Sequence, residues 1–211
     1  DALGRSFDLE LSPNSRLLGV AREIPGNPAM PYVGKLAGVE NSWARIVISD
    51  GTPAGLIWDG NELFAIERPG DNVAGSDAAI IYRLADALIA PGAMTCGAGG
   101  SLTTGSAVYK SLGTELRATT AQAAGASVEI DVGAVGDAEF AGIHILNPQQ
   151  AILDRLSNVD GIFSAQVGVQ INVPLVQVFT DSGAGSYPFS ATVVAGDLLV
   201  ELADYRNSEP N

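Results

Sequence analysis

Reactive chemistry in this chain is concentrated in few side chains. Its 211 residues hold one cysteine, Cys96, and one histidine, His144. A thiolate is a nucleophile and a soft metal ligand, and an imidazole is a base or a ligand. One cysteine forms no internal disulfide. One Cys and one His fall short of the four ligands of a closed structural zinc site and of the three histidines of a catalytic one. Cys96 lies in Met94-Thr95-Cys96 and runs into Gly97-Ala98-Gly99-Gly100. No Gly-Lys-Ser/Thr follows that glycine run, so it reads as linker rather than phosphate loop. His144 stands between Ile143 and Ile145 just before a predicted helix, and reads as a hydrogen-bonded structural residue before a ligand. Glu129, Asp131, Asp137 and Glu139 gather around a predicted strand. Calcium would require six or more oxygens from loops, so these acids read first as solvated carboxylates.

Composition narrows the function classes. Asp and Glu number 24 against 11 Lys and Arg, a formal charge of −13. A duplex nucleic-acid binder needs the opposite sign. With 46% hydrophobic residues the chain has the composition of a folded protein. No apolar run reaches the 18 residues of a membrane span.

Three textures organise the elements that must position these residues, and the class they imply is α+β. Residues 1–90 read as a β-rich domain. Phe7, Leu9 and Leu11 alternate with Asp8 and Glu10. Residues 42–49, 54–58 and 62–67 are short apolar runs closed by Asp50-Gly51, Asp59-Gly60 and Pro69-Gly70, and 79–83 is a fourth. Strands joined by such turns make an antiparallel meander, packed as a sandwich or a rolled sheet. Trp43 and Trp58 fall within it as core or edge-packing aromatics. Residues 91–125 read as a flexible linker carrying Cys96. Residues 126–211 change period. Ser127 to Val135 alternates as a strand. Asn147-Pro148 opens a helix with Ile152, Leu156, Val159 and Phe163 on one stripe, and Gly168 stops it. A second strand starts at Val169, with Pro174 marking an edge or a bulge. Ser190 is placed to cap a last helix bearing Val194, Leu198, Leu202 and Tyr205. Strand, helix, strand, helix is the start of an α/β domain with adjacent parallel strands.

At this point the residues show a family resemblance. Asn158-Val159-Asp160-Gly161-Ile162-Phe163, leading through Gln166-Val167-Gly168-Val169 to Ile171, resembles a signature helix-to-strand stretch of ADAM-like (adamalysin or reprolysin) zinc metallopeptidases. Asp181, Pro188-Phe189-Ser190 and the stretch Leu198-Leu199 to Tyr205-Arg206 are similar to the next segment of bacterial members. Residues 41–45, 50–51, 55–57 and 81–83 are similar to the family's pro-region.

The resemblance implies a secreted precursor, a β-rich prodomain followed by the first part of a metzincin-type domain. It implies zinc in the parent protein, with structural calcium as a second cation. The family's zinc helix, His-Glu-x-x-His, does not occur in this chain, so no catalytic residue carries over. The chain alone is then not a peptidase, and its task is latency and assisted folding. Its partners are the remainder of the catalytic domain and, for the parent, protein or peptide substrates. Cys96 is a candidate for the family's cysteine switch, which its segment Met94-Thr95-Cys96-Gly97 resembles, and in which a thiolate from the pro-region ligates the catalytic zinc of the missing part. Maturation cleavage is expected between Gly97 and Ser127. The alternative from another class is a non-catalytic extracellular binding or adhesion module.

Overall fold

A computed structural model describes residues 3–24, 29–68, 78–88, 105–119, 128–144, 147–180, 187–190 and 195–208. Strands β1 (Leu9–Pro13), β2 (Ala29–Leu36), β3 (Trp43–Ser49), β4 (Thr52–Trp58), β5 (Leu63–Glu67) and β6 (Ile80–Arg83) form one six-stranded sheet in sequence order. Each is antiparallel to the next. Ser49 pairs with Thr52, and the Asp50-Gly51 loop between them has positive φ at both residues. That is the turn whose twist matches a two-residue hairpin.

Alternation gives the sheet two apolar faces. Ala44, Ile46 and Ile48 of β3 share one face with Leu36, Ile57 and Phe64 and with Leu9, Leu11 and Ile81 of the outer strands. No described helix packs on this face, yet Ala44, Ile46, Ile57 and Phe64 are buried. The Phe7 ring, just ahead of β1, meets the Phe64 ring of β5 edge-on at 5.0 Å. In a flat sheet, strands four places apart lie roughly 19 Å from each other. The contact therefore requires the sheet to roll, and the rolled sheet buries its own concave face.

The convex face carries the helices. Helix α1 (Ser15–Glu23) sits between β1 and β2, started by Asn14, whose side chain accepts from the Arg16 N–H. This helix and β2 were not among the expected elements. Leu17, Val20, Ala21 and Ile24 nevertheless fall on one helical face and are buried.

The second half holds β7 (Val128–Gly136), α3 (Ala138–Ile143), α4 (Pro148–Val167), β8 (Val169–Val178) and α5 (Ala195–Ser208). β7 and β8 are parallel neighbours. Asn147 caps α4 through its side chain, Pro148 opens the helix, and Gly168 closes it with φ 68°. Between the pairs Asp131–Asn172 and Gly133–Leu175, Val132 alone faces Val173 and Pro174. Pro174 thus marks a bulge, where a missing N–H costs the ladder least.

Two expectations are corrected. Residues 105–119 of the expected linker form helix α2 (Gly105–Thr119), with Leu116 fully buried. Tyr109, Leu112 and Leu116 recur at i, i+3 and i+7, a short apolar stripe hidden among small residues. The last helix begins at Ala195, so Ser190 does not cap it. The Ser190 N–H and hydroxyl instead donate to the Glu201 carboxylate. Helix α5 meets the end of β8 through Phe179, Tyr187, Phe189 and Tyr205, whose rings pack 5.7–6.0 Å apart.

The two halves share their core. One cluster joins Leu17, Val20 and Ala21 of α1 and Val47 of β3 to Leu153 of α4 and Ile171 and Val173 of β8. Another joins Trp43, Leu56, Trp58 and Ala65 of the sheet to Leu116 of α2 and Ala165 of α4. Helix α4 lies directly on β3. A Cβ at Gly161 would fall 2.6 Å from the Trp43 ring, so only glycine allows that approach.

Candidate functional site

The most concentrated electrostatic feature is where α4 crosses β3. At 100° per residue, Leu153, Ser157, Asp160, Gly161 and Ser164 face the sheet. Asp160 is completely buried. The Arg45 Nε of β3 donates to its Oδ2 at 2.6 Å. The Arg16 Nη2 of α1 donates to both oxygens at 3.2–3.3 Å. The Ile171 N–H of β8 donates to Oδ1 at 2.9 Å. Arg16 Nε donates to the Ile171 carbonyl at 3.3 Å, and Arg45 reaches the Ala44 carbonyl and Ser164 Oγ. One carboxylate thus ties four elements, two from each half. Its desolvation is offset by charge-assisted hydrogen bonds. Nearly two turns earlier, Asp154 pairs with Arg68, which also donates to the carbonyls of Val47 and Thr52.

The neighbouring face of α4 borders a cleft of about 420 Å³ between β4–β6, α2 and the end of α3. Leu56, Ala65, Leu112 and Ile162 give it an apolar lining, and Glu67, Tyr82, Asn158, Arg155 and His144 a polar one. Tyr82 donates to Glu67 at 2.6 Å. Burial first, and then this bond to a carboxylate, hold the Tyr82 proton well above the ordinary tyrosine range. Asn158 Oδ1 is buried without a hydrogen-bond partner.

His144 sits at the cleft's edge and terminates α3. Arg155 Nη2 lies 3.0 Å from its Nε2. Arginine only donates, so Nε2 is the accepting atom of this contact. Phe140 packs against the His144 ring, and the Arg155 guanidinium lies over Phe140 at 5.2 Å.

The acids do not converge. Asp137 caps α3, accepting from the Phe140 N–H at 2.7 Å. Asp131 accepts from the Asn172 side chain at 2.6 Å. Glu129 is exposed on β7, and Glu139 lies in the first turn of α3. Among the described residues no three His, Cys, Asp or Glu side chains come together to hold a metal ion. Cys96, the 97–100 glycine run and much of the expected cleavage stretch lie outside the described residues. Trp43 and Trp58 are buried core residues.

Arg16 and Glu67 carry no role in the sequence reading, and Arg45, Tyr82 and Asn158 enter it only inside the stretches that resemble the family. Arg45 and Asp160 nevertheless left a signal. Arg45 occupies an inward position in the apolar run 43–49, between Trp43 and Val47. Asp160, known only as part of the signature stretch, interrupts an apolar helix segment and so requires a buried partner. No protein-family model matches the chain, and no curated protein matches it either.

Proposed function

We propose that this chain is the N-terminal, pro-region-containing part of a secreted ADAM-like zinc metallopeptidase precursor, acting in latency and folding. The observation that carries this reading is the Asp160 joint. The two stretches that resemble the family's pro-region and its catalytic domain, residues 41–45 and 158–171, pack against each other through Arg45, Asp160, Trp43 and Gly161. A pro-region that lends its sheet as cover for the first catalytic helix is a physical form of folding assistance. The parallel β7–β8 pair also leaves Val128 and Ile130 exposed. Parallel sheets are ordinarily covered on both faces. A continuation of the peptidase domain would cover them.

The described residues build no zinc site of their own. In this reading the metal belongs to the parent, and Cys96 is the residue of this chain that reaches it. The test is a peptidase assay on the zinc-loaded full-length parent. The precursor is silent and Cys96→Ala releases activity. Unchanged latency in that variant removes the switch, and a parent gene without a zinc-binding helix beyond Asn211 removes the whole reading. The cleft favours a second reading, a non-catalytic extracellular binding module, which a stop codon directly after Asn211 would support.

A further inference from the structure

The Asp160 joint holds more positive than negative charge, and the surplus reaches solvent. Arg16 and Arg45 both donate to Asp160 Oδ2, at 3.2 and 2.6 Å, so two guanidinium groups share one carboxylate. Arg45 has each of its three nitrogens on an acceptor, at Asp160, Ala44 and Ser164. Arg16 uses Nε and Nη2, while its Nη1 donates to no described residue. That nitrogen is not sealed in as Asn14 Nδ2 is, and 19% of the Arg16 side chain is exposed. A ligand can therefore reach it.

Both arginines line a cleft of about 560 Å³ that spans the two halves of the chain. Ser12, Lys35 and Glu10 border it from the sheet, and Gln170 from β8. The charges around it do not cancel. Lys35 and Glu10 form an ion pair at 3.3 Å, each more than half exposed. Asp160 neutralises one arginine of the joint, and one positive charge remains. On β7, Glu129 stands opposite Gln170 in the ladder, but it is exposed and does not line the cleft. Its field is screened by water and salt, whereas partial burial spares Arg16 much of that screening.

A guanidinium has no acceptor, so the surplus selects an anion. The Ser12 hydroxyl and the Gln170 amide supply further donors. One negative charge matches the count, and a dianion would set its second charge against Glu10. The planar guanidinium edge also fits a planar carboxylate.

We propose that this cleft binds a single carboxylate group, with Arg16 Nη1 as its main donor and Ser12 and Gln170 beside it. Bound there, the carboxylate ties the sheet to β8 from outside the joint. The site does not depend on the peptidase reading, and loss of the zinc switch leaves it standing.

Nitrogen-15 NMR titration of the intact chain tests it, with the Arg16 Nε–H and Gln170 side-chain amide signals as reporters. Acetate moves both along a saturating curve, with a Kd of about 1–10 mM. Chloride at the same ionic strength does not, and phosphate at pH 8 binds more weakly than acetate. N-acetyl-glycylglycine and its amide separate the sources of the carboxylate. The acid binds and the amide leaves the signals in place. Tighter binding of that acid than of acetate supports a peptide terminus as the ligand, and equal binding supports a small molecule. Arg16→Gln abolishes the Gln170 shift. Because that variant also loosens the joint, Ser12→Asp is the second probe. Ser12 is exposed on β1, so the variant keeps its fold while its own carboxylate fills the cleft, and acetate no longer shifts Arg16. Shifts in the wild type that fail to saturate or match those with chloride overturn the proposal, as does an undiminished acetate curve in Ser12→Asp.

Discussion

Two neighbouring positions on α4 treat a charged and a neutral polar side chain in opposite ways. Towards β3, Asp160 is wholly buried and accepts four hydrogen bonds from three groups, the side chains of Arg16 and Arg45 and the Ile171 N–H. Towards β4–β6, Asn158 keeps a buried carbonyl oxygen with no partner beside an open cleft. The two residues are neighbours on one helix with the same intrinsic preferences. Their difference shows that the fold directs its buried hydrogen bonds to the charged group before the neutral one. A buried charge is too costly to leave unpaired, whereas a neutral oxygen such as Asn158 Oδ1, or Ser157 Oγ on the β3 side, is left without a partner at smaller cost.

The sharpest way to break this contrast is Asp160→Ala. It strands two arginines against a buried core and should cost about 3–5 kcal/mol in denaturant unfolding. A loss under about 1 kcal/mol would mean that water reaches the joint and that the two faces are alike. Gly161→Ala probes the same contact by volume. Its methyl runs into the Trp43 ring, and overpacking of about 1–3 kcal/mol should outweigh the gain of about 1 kcal/mol in helix propensity. Equilibrium unfolding at neutral pH reads the sign.

On the cleft face the expected effects are smaller. Tyr82→Phe removes one hydrogen bond to Glu67, worth about 1 kcal/mol. It also changes the alkaline limb of the stability curve. The Tyr82 pKa is raised in the folded state, so its contribution is complete below the unfolded value of about 10 and is lost as pH rises beyond it. The wild type should therefore lose stability above about pH 10 more steeply than the variant. Parallel curves for the two would remove Tyr82 from the titration. Asn158→Leu is expected to leave stability unchanged or raise it by up to about 1 kcal/mol, because the orphan acceptor disappears while the volume stays similar. If it destabilises as much as Asp160→Ala, Asn158 belongs to the structural face after all.

How much of this was legible depends on range. Strands β3 to β5 could be read because each is a short apolar run that ends at its own turn, and β6 because it is a run of the same kind. β2 could not, since Pro31 and Gly34 blur its alternation. α1 was hidden by its brevity, although Asn14 and the Leu17–Val20–Ala21 spacing were present. α2 was hidden by glycine, serine and threonine, whose weak preferences were overridden by burial of Leu116 against the sheet and α4. The stripe on α4 was read correctly as far as it went. Leu156 and Val159 pack on the core, and Ile152 is buried, but Phe163 at its end remains 41% exposed. A single stripe could not show that two further sides of the helix are also covered. In the candidate site, His144 was visible by rarity. Glu67, Tyr82 and Asn158 are ordinary residues that become a group only where β5, β6 and α4 converge.

By itself the sequence determined what neighbours along the chain decide. Asn147, Pro148 and Gly168 bound α4 because caps act within one turn, and Asp50-Gly51 makes a hairpin because positive φ is a property of those residues. Only the tertiary structure decided that Asp160 meets Arg45, 115 residues away, and Arg16, 144 residues away. A buried carboxylate is too costly to leave unpaired, but any arginine in the chain could in principle pair with it. The choice falls to the packing of α4 on a rolled sheet, and no local pattern encodes that packing.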